Sequence, residues 1–218
     1  MRFVITAGPT REYIDAVRFL SNPSTGKMGF ALARAAVARG HEVILIAGPV
    51  SLKTPKGVTR VDVVSAREML REVRGALGYL PLSATVVIGC AAVADMRPAK
   101  TANRKLHKRE LGDTLKLVKN PDILKSISNA KSRIYKVGFA AETNDVLKSA
   151  ERKCAAKGLE FIVANDVTKK GAGFGTDTNI ATLLFKDGRK LPLKQMTKLA
   201  LARRIVRECE SVCNRDAL

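Results

Sequence analysis

Short apolar, β-branched runs return six times along this chain, at Phe3–Thr6, Val43–Ala47, Val58–Val63, Thr85–Gly89, Ile134–Phe139 and Phe161–Ala164. Helical patterns lie between several of them, at Gly26–Arg39, Ala66–Leu77 and Val146–Lys157. No other feature constrains the fold as much. Strands covered on both faces read as unbroken apolar runs, and helices between them supply the crossovers that parallel pairing needs. The pattern predicts an α/β protein in three layers, a mainly parallel sheet with helices on both sides. Two segments break the alternation. Thr114–Val118 is strand-like, and Thr178–Phe185 with Lys190–Leu193 around Asp187-Gly188 reads as a hairpin. Both are expected in a small antiparallel addition rather than in the main sheet. Leu193–Val212 predicts an amphipathic closing helix. The chain shows neither repeats nor a linker, and 218 residues suit one domain over 1–218.

In such a sheet, ligands bind off the carboxyl ends of the strands. Three loops after strands should therefore gather on one edge: Ala7-Gly8-Pro9-Thr10-Arg11, Cys90-Ala91-Ala92-Val93-Ala94-Asp95 and Asn165-Asp166-Val167. A further loop of Ser, Asn, Pro and Gly empties into a helix through Gly26-Lys27-Met28-Gly29. Free N–H groups and the dipole at a helix start favour an anion, and glycine lets it come close. This is not a P-loop: Met28 follows the lysine, and Ser21 stands where its first glycine belongs. The first loop lacks Gly-x-Gly-x-x-Gly, and no Tyr is followed four residues later by Lys, which disfavours nicotinamide chemistry.

Each remaining stretch has a bland reading beside a sharper one. Gly8 serves a packing turn or a nucleotide turn. Asp95 is a strand-end cap or a carboxylate at the mouth of a site. Lys105, His107 and Lys108 form a solvated charge run or a mobile cationic lid. Asn120-Pro121-Asp122 looks like a helix start. Phe139 packs or stacks on a base. Lys153 and Lys157 share one helix face, as surface lysines or as anion ligands.

The formal charge of +19 invites nucleic acid or small polyanions as partners. Between Arg97 and Lys136, twelve Lys and Arg face three acids, yet Tyr135 is the only aromatic there. Nucleic-acid grooves interleave cations with stacking rings, so a small-anion site plus surface charge is the better expectation. The cysteines, Cys90, Cys154, Cys209 and Cys213, form no CxxC pair and read as free thiols of a reducing compartment. No apolar run nears the roughly 18 residues of a membrane span, and Arg2 leads straight into a strand. A cytoplasmic protein without a signal peptide is expected.

In order, TAGPTRE, VRFLSNPSTGKMG, GPVSL, GCAAVADMRP, KNPDIL, VGFAAET, VANDV and GFGTDTN closely resemble the bacterial phosphopantothenoylcysteine synthetases, over essentially the whole chain. The resemblance implies a Rossmann-like fold and a CTP-dependent ligase of coenzyme A biosynthesis. It joins 4′-phosphopantothenate to L-cysteine through an acyl-cytidylate, with Mg²⁺ and without a side-chain nucleophile. By motif, Asn22 matches the asparagine that holds the acyl-cytidylate and Lys105 the flexible-loop lysine that completes turnover. The nucleotide falls to Gly8, Gly26, Gly29, Gly89, Cys90, Ala91, Asp95, Lys105, Lys119, Asn120, Pro121, Asp122, Phe139, Lys153 and Lys157. Asn22, Ala92 and Asn165 fall to the acyl substrate; the metal ligands are not assigned. His107 stands where the family's lid commonly has a lysine, and Met96 where a Tyr is common. The family also implies a homodimer, formed through Thr114–Val118 and the Thr178–Phe185 region. The ligase is often fused behind a flavin-dependent decarboxylase, so a stand-alone form that could associate with a separate decarboxylase is expected.

Overall fold

The computed structural model describes residues 1–78, 84–127, 133–142, 145–166, 173 and 175–215. The strands of the main sheet are β1 (Arg2–Ala7), β2 (Glu42–Ala47), β3 (Thr59–Asp62), β4 (Thr85–Gly89), β5 (Ile134–Glu142), β6 (Phe161–Asp166), β7 (Ala181–Phe185) and β8 (Lys190–Pro192). The helices are α1 (Lys27–Val37), α2 (Ala66–Gly78), α3 (Lys108–Leu111), α4 (Val146–Lys157) and α5 (Lys198–Arg215). Across the sheet the order is 3-2-1-4-5-6-7-8, with the first six strands parallel. The order reverses between β1 and β4, yet the loops leaving those two strands bond to each other, and the crevice opens on the other side of the β4 loop, toward β5.

Alternation along the strands splits the core in two. Phe3, Ile5, Val86, Ile88, Phe161 and Val163 point to one face, where α1 and α5 lie. Val4, Val87, Ile162 and Ala164 point to the other, against α2 and α4. Helix α2 buries Ala66, Met69, Leu70 and Val73, the i, i+3, i+4, i+7 stripe of a helix covering a sheet. Helix α1 is buried nearly all round because it lies between the sheet and α5.

The hairpin expected outside the main sheet belongs to it. β7 pairs antiparallel with β6 and β8 with β7, extending the sheet at one edge. Its turn is as expected, with Gly188 at φ +85°. Leu183, Leu184 and Phe185 are buried on both faces, which an add-on exposed on one side could not provide. Thr178–Asn179 instead pairs with Met196–Thr197, and α5 begins at Lys198 rather than Leu193. The other irregular strand, Leu117–Lys119, does lie outside the sheet, paired antiparallel with Met96–Pro98. A second small pair joins Arg11–Tyr13 to Phe19–Ser21. Among the described residues, no helix is long and apolar enough to cross a membrane.

Candidate active site

The crevice is organised by the loop leaving β4. Thr6, near the end of β1, is buried, and its Oγ1 accepts the N–H groups of Cys90 and Ala91 at 3.2 Å each. Thr10 Oγ1 accepts Ala94 N–H at 3.0 Å. The backbones of the two loops also bond directly, Ala92 N–H to Gly8 carbonyl at 2.9 Å and Thr10 N–H to Ala92 carbonyl at 3.3 Å. Asn22 joins from the glycine-rich loop, donating Nδ2 to the carbonyls of Ala92 (3.3 Å) and Val93 (3.2 Å). The path of residues 90–94 is thereby fixed by side chains from two other segments.

Two cavities flank this loop and share Phe139. The first, of about 210 Å³, is lined by Gly89, Ala91, Asp95, Asn120, Pro121, Asp122, Phe139 and Lys157 among others. Asn120 is locked to the Asp95 loop, its Nδ2 on Ala94 carbonyl at 2.8 Å and its N–H on Asp95 carbonyl at 2.8 Å. Where a helix is expected after Pro121, the described residues form a turn, with Asp122 Oδ1 accepting Lys125 N–H at 3.1 Å. Buried Lys136, one of the basic run, donates to the carbonyls of Ile127 (3.2 Å) and Leu124 (3.4 Å) at the end of that turn. Asp122 meets Lys157 at 3.0 Å across the cavity wall.

The second cavity, of about 70 Å³, lies at the start of α1 and includes Gly26, Gly29, Cys90, Phe139, Asn165 and Lys198. Gly26 caps α1 in the left-handed region (φ +77°) with no side chain capping the helix, and the first turn carries no acid. That leaves the helix start open to an anion. Gly29 has a different reason to be glycine: a Cβ there would fall 2.5 Å from Ala7 Cβ, so it sets how closely α1 approaches β1. Asn165 is buried, and its Oδ1 has no hydrogen-bond partner among the described residues. Lys198 is buried and donates to the carbonyls of Gly173 (3.0 Å) and Thr176, while Lys27 pairs with Asp177 at 2.7 Å. Burial lowers the Lys198 ammonium and pushes the Cys90 thiol up to about 12, although the neighbouring Lys198 charge pulls the thiol down. A thiol held protonated is a poor nucleophile.

The remaining expected residues do not appear in the described linings of these cavities. Gly8 forms the turn after β1 at φ +75°. Ala92 contributes backbone to the loop contacts, and Lys153 is half-buried one turn before Lys157. Lys105 is exposed. Lys119 lies with Arg97 in a separate groove, against Arg67, Arg71 and Arg74 of α2, which meets the first cavity at Asn120 and Pro121. Val167, Phe174, Thr143 and Lys131, which belong to the quoted motifs and the basic run, lie outside the described residues. Sequence reading missed Thr6, Thr10 and Lys198. A Thr near a strand end is too common to signal that it holds a loop 84 residues away.

Fold and crevice together define a doubly wound α/β protein with two adjoining cavities beside the loop after β4, the smaller one at a helix start. The chain belongs to the DNA/pantothenate metabolism flavoprotein C-terminal domain family, whose profile matches residues 1–212. It is 52% identical over 206 residues to the coenzyme A biosynthesis bifunctional protein CoaBC of Bacillus subtilis, covering 94% of this chain and 50% of that protein. With CoaBC of Escherichia coli K12 it is 49% identical over 200 residues, 89% of this chain and 48% of that protein. The chain thus spans about half the length of these relatives. The crystal structure of a CoaBC C-terminal domain superposes with a TM-score of 0.82 at 40% identity, covering 98% of this chain and 96% of that one. A Cab2 mutant in complex with phosphopantothenate-cysteine shares the fold at 15% identity and a TM-score of 0.76, covering 98% and 86%.

Proposed function

We propose that this chain is a phosphopantothenate–cysteine ligase of coenzyme A biosynthesis that activates its acid with CTP. The observation that carries the reading is the pair of cavities meeting at Phe139, beside a backbone loop held by Thr6, Thr10 and Asn22. A two-substrate adenylate-type reaction needs adjacent places for a nucleotide and an acid, and no protein nucleophile. The protonated Cys90 thiol fits that requirement.

In the first step a carboxylate oxygen of 4′-phosphopantothenate attacks the α-phosphorus of CTP, and pyrophosphate leaves. In the second the cysteine amine attacks the acyl carbon, CMP leaves with the bonding pair of the acyl–oxygen bond, and the amine loses a proton. The chain contributes positioning and charge. The larger cavity takes the nucleotide, with Phe139 against the base and Lys157 supplying positive charge. The α1 start at Gly26 takes phosphate of the nucleotide, Asn165, whose Oδ1 has no partner among the described residues, takes the acyl substrate, and Asn22 faces the mixed anhydride. Among the described residues no three His, Cys, Asp or Glu side chains form a metal cluster. Asp95 and Asp122 in the cavity lining fit Mg²⁺ arriving on the triphosphate, since that ion takes one or two carboxylates beside phosphate oxygens. When bound it neutralises phosphate charge.

A homodimer belongs to the same proposal. Leu115 and Leu117 of the expected Thr114–Val118 surface are exposed apolar side chains, as are Val17 and Phe19. The latter two take the place of the expected Thr178–Phe185 region, because Leu183–Phe185 are buried within this chain. Burying the exposed four against a second copy accounts for them. Sedimentation at micromolar concentration should give twice the chain mass.

The ligase is tested by pyrophosphate release with 4′-phosphopantothenate and Mg²⁺, with CTP and ATP in parallel, with and without cysteine. Release with CTP that depends on phosphopantothenate, and CMP that appears only with cysteine, is the expected result. Release with ATP alone overturns the nucleotide, and no release with either overturns the ligase.

A further inference from the structure

The turn that carries Lys105 is fastened at both ends to one short stretch, residues 13–18. Ahead of it, Thr101 Oγ1 donates to Tyr13 carbonyl at 2.8 Å and Ala102 N–H to Ile14 carbonyl at 3.0 Å. Behind it, Leu106 commits both backbone groups. Its N–H donates to Asp15 Oδ2 at 3.1 Å, and its carbonyl accepts Arg18 Nη2 at 2.9 Å. Only Asn103, Arg104 and Lys105 project between these fastenings, all three exposed, with Arg104 paired to Glu110.

Asp15 is the centre of the rear fastening. Its side chain is fully buried. Oδ1 accepts Val17 N–H (2.9 Å) and Arg18 N–H (2.8 Å), and Oδ2 accepts Arg18 Nε (3.0 Å) besides Leu106 N–H. A carboxylate in such a place is costly unless its lone pairs are filled, and here the filling includes a residue 91 positions away. The Arg18 guanidinium, then the backbone N–H groups, hold the Asp15 carboxyl far below the usual range, so the clasp persists through mildly acidic pH. The same stretch reaches the crevice a few residues earlier, where Thr10 holds Ala92 and Ala94. Residues 10–18 therefore index the Lys105 turn to the loop that lines the nucleotide-side cavity.

We infer that Asp15 is a positioning residue for Lys105, acting through Leu106, so that the buried Asp15–Arg18 pair sets the point from which this lysine reaches the cleft. The inference rests on the ligase reading for the role of Lys105 but not for the existence of the clasp. Asp15→Asn keeps the size and turns an amide NH₂ toward groups that are themselves donors. Hydrogen exchange at the Leu106 amide should quicken about tenfold while the amides of β1 and β4 keep their rates. Tryptic cleavage after Arg104 and Lys105 should quicken with it. In turnover, kcat should fall roughly ten- to hundredfold, the size of effect an ångström of misplacement produces, with KM for CTP changed less than threefold. In a Lys105→Ala background the Asp15 substitution should cost nothing further. Arg18→Lys, which keeps a cation beside the carboxylate but shortens the reach to the Leu106 carbonyl, serves if Asp15→Asn does not fold.

Unchanged Leu106 exchange overturns the clasp. A loss of kcat that multiplies with that of Lys105→Ala overturns the route through this lysine, as does a general loss of protection across the sheet. If the wild type shows no turnover, the ligase reading falls, and the exchange experiment alone then decides whether Asp15 anchors the turn.

Discussion

Gly29→Ala sets two principles against each other at the floor of the crevice. On propensity alone, replacing Gly29, the third residue of α1, by alanine should stabilise the helix by up to about 1 kcal/mol. The structure reverses the sign. The new methyl would lie 2.5 Å from Ala7 Cβ and 3.1 Å from Ala7 Cα, with Thr6 carbonyl oxygen at 3.3 Å. Carbons in contact prefer about 3.5–4.0 Å, so α1 and β1 must separate. Neither yields easily, because β1 is paired on both sides and Ala7 is fully buried. Overpacking costs about 1–3 kcal/mol, and a 2.5 Å contact between two Cβ atoms that no rotamer can relieve belongs to its upper half, about 2–3 kcal/mol, leaving a net loss of about 1–2 kcal/mol after the propensity gain. For a chain of this length that lowers Tm by about 2–8 °C. Urea unfolding followed by circular dichroism measures it. Gly75→Ala in α2 is the control, because its Cβ meets nothing within 4 Å and should stabilise by up to about 1 kcal/mol. Ala7→Gly in the Gly29→Ala background should recover part of the loss, a coupling of about 1 kcal/mol. A Gly29→Ala protein as stable as the wild type, or costs that simply add in the double variant, would refute the argument.

Thr6→Val removes the acceptor of the Cys90 and Ala91 N–H groups at nearly constant volume, and should cost about 1–3 kcal/mol. Nucleotide binding measured by calorimetry should weaken in parallel, whereas a variant with full stability and affinity would show that the loop holds itself. Lys157→Ala should raise KM for the nucleotide about tenfold with little change in unfolding midpoint, since its pair with Asp122 is partly solvated and exposed pairs contribute at most about 1 kcal/mol. Cys90 should resist iodoacetamide at pH 8.5 in the native protein and react once urea unfolds it. Its folded pKa, about 12, lies above the ordinary 9.0, so the protonated thiol favours the fold. That stability is complete below about pH 9 and drains away as pH rises toward 12, and the fall in urea midpoint over this window should be smaller in Cys90→Ser.

The sequence by itself determined the layered architecture and which loops gather at the crevice. Burial on both faces leaves strands such as Val86–Ile88 apolar at every position, and the covering helices keep an apolar stripe, so both patterns survive in one dimension. The loops after β1 and β4 were legible for the same reason, because small residues beside a buried strand have few other uses. Tertiary structure decided what depends on partners distant along the chain. An apolar run cannot state which strand it pairs with, and β7 and β8 were placed on the main sheet by the buried faces of Leu183 and Leu184. Gly29 lines the smaller cavity, and it is the close approach of Ala7, invisible in the sequence, that leaves no room for a Cβ there. The turn after Pro121 presents carbonyls bonded by Lys136, which in the sequence is one more cation of a basic run. No local pattern singles out Asp15, which folding encloses with Arg18 and Leu106. Local pattern records what a residue must avoid, usually water; only the folded chain records which groups it meets there instead.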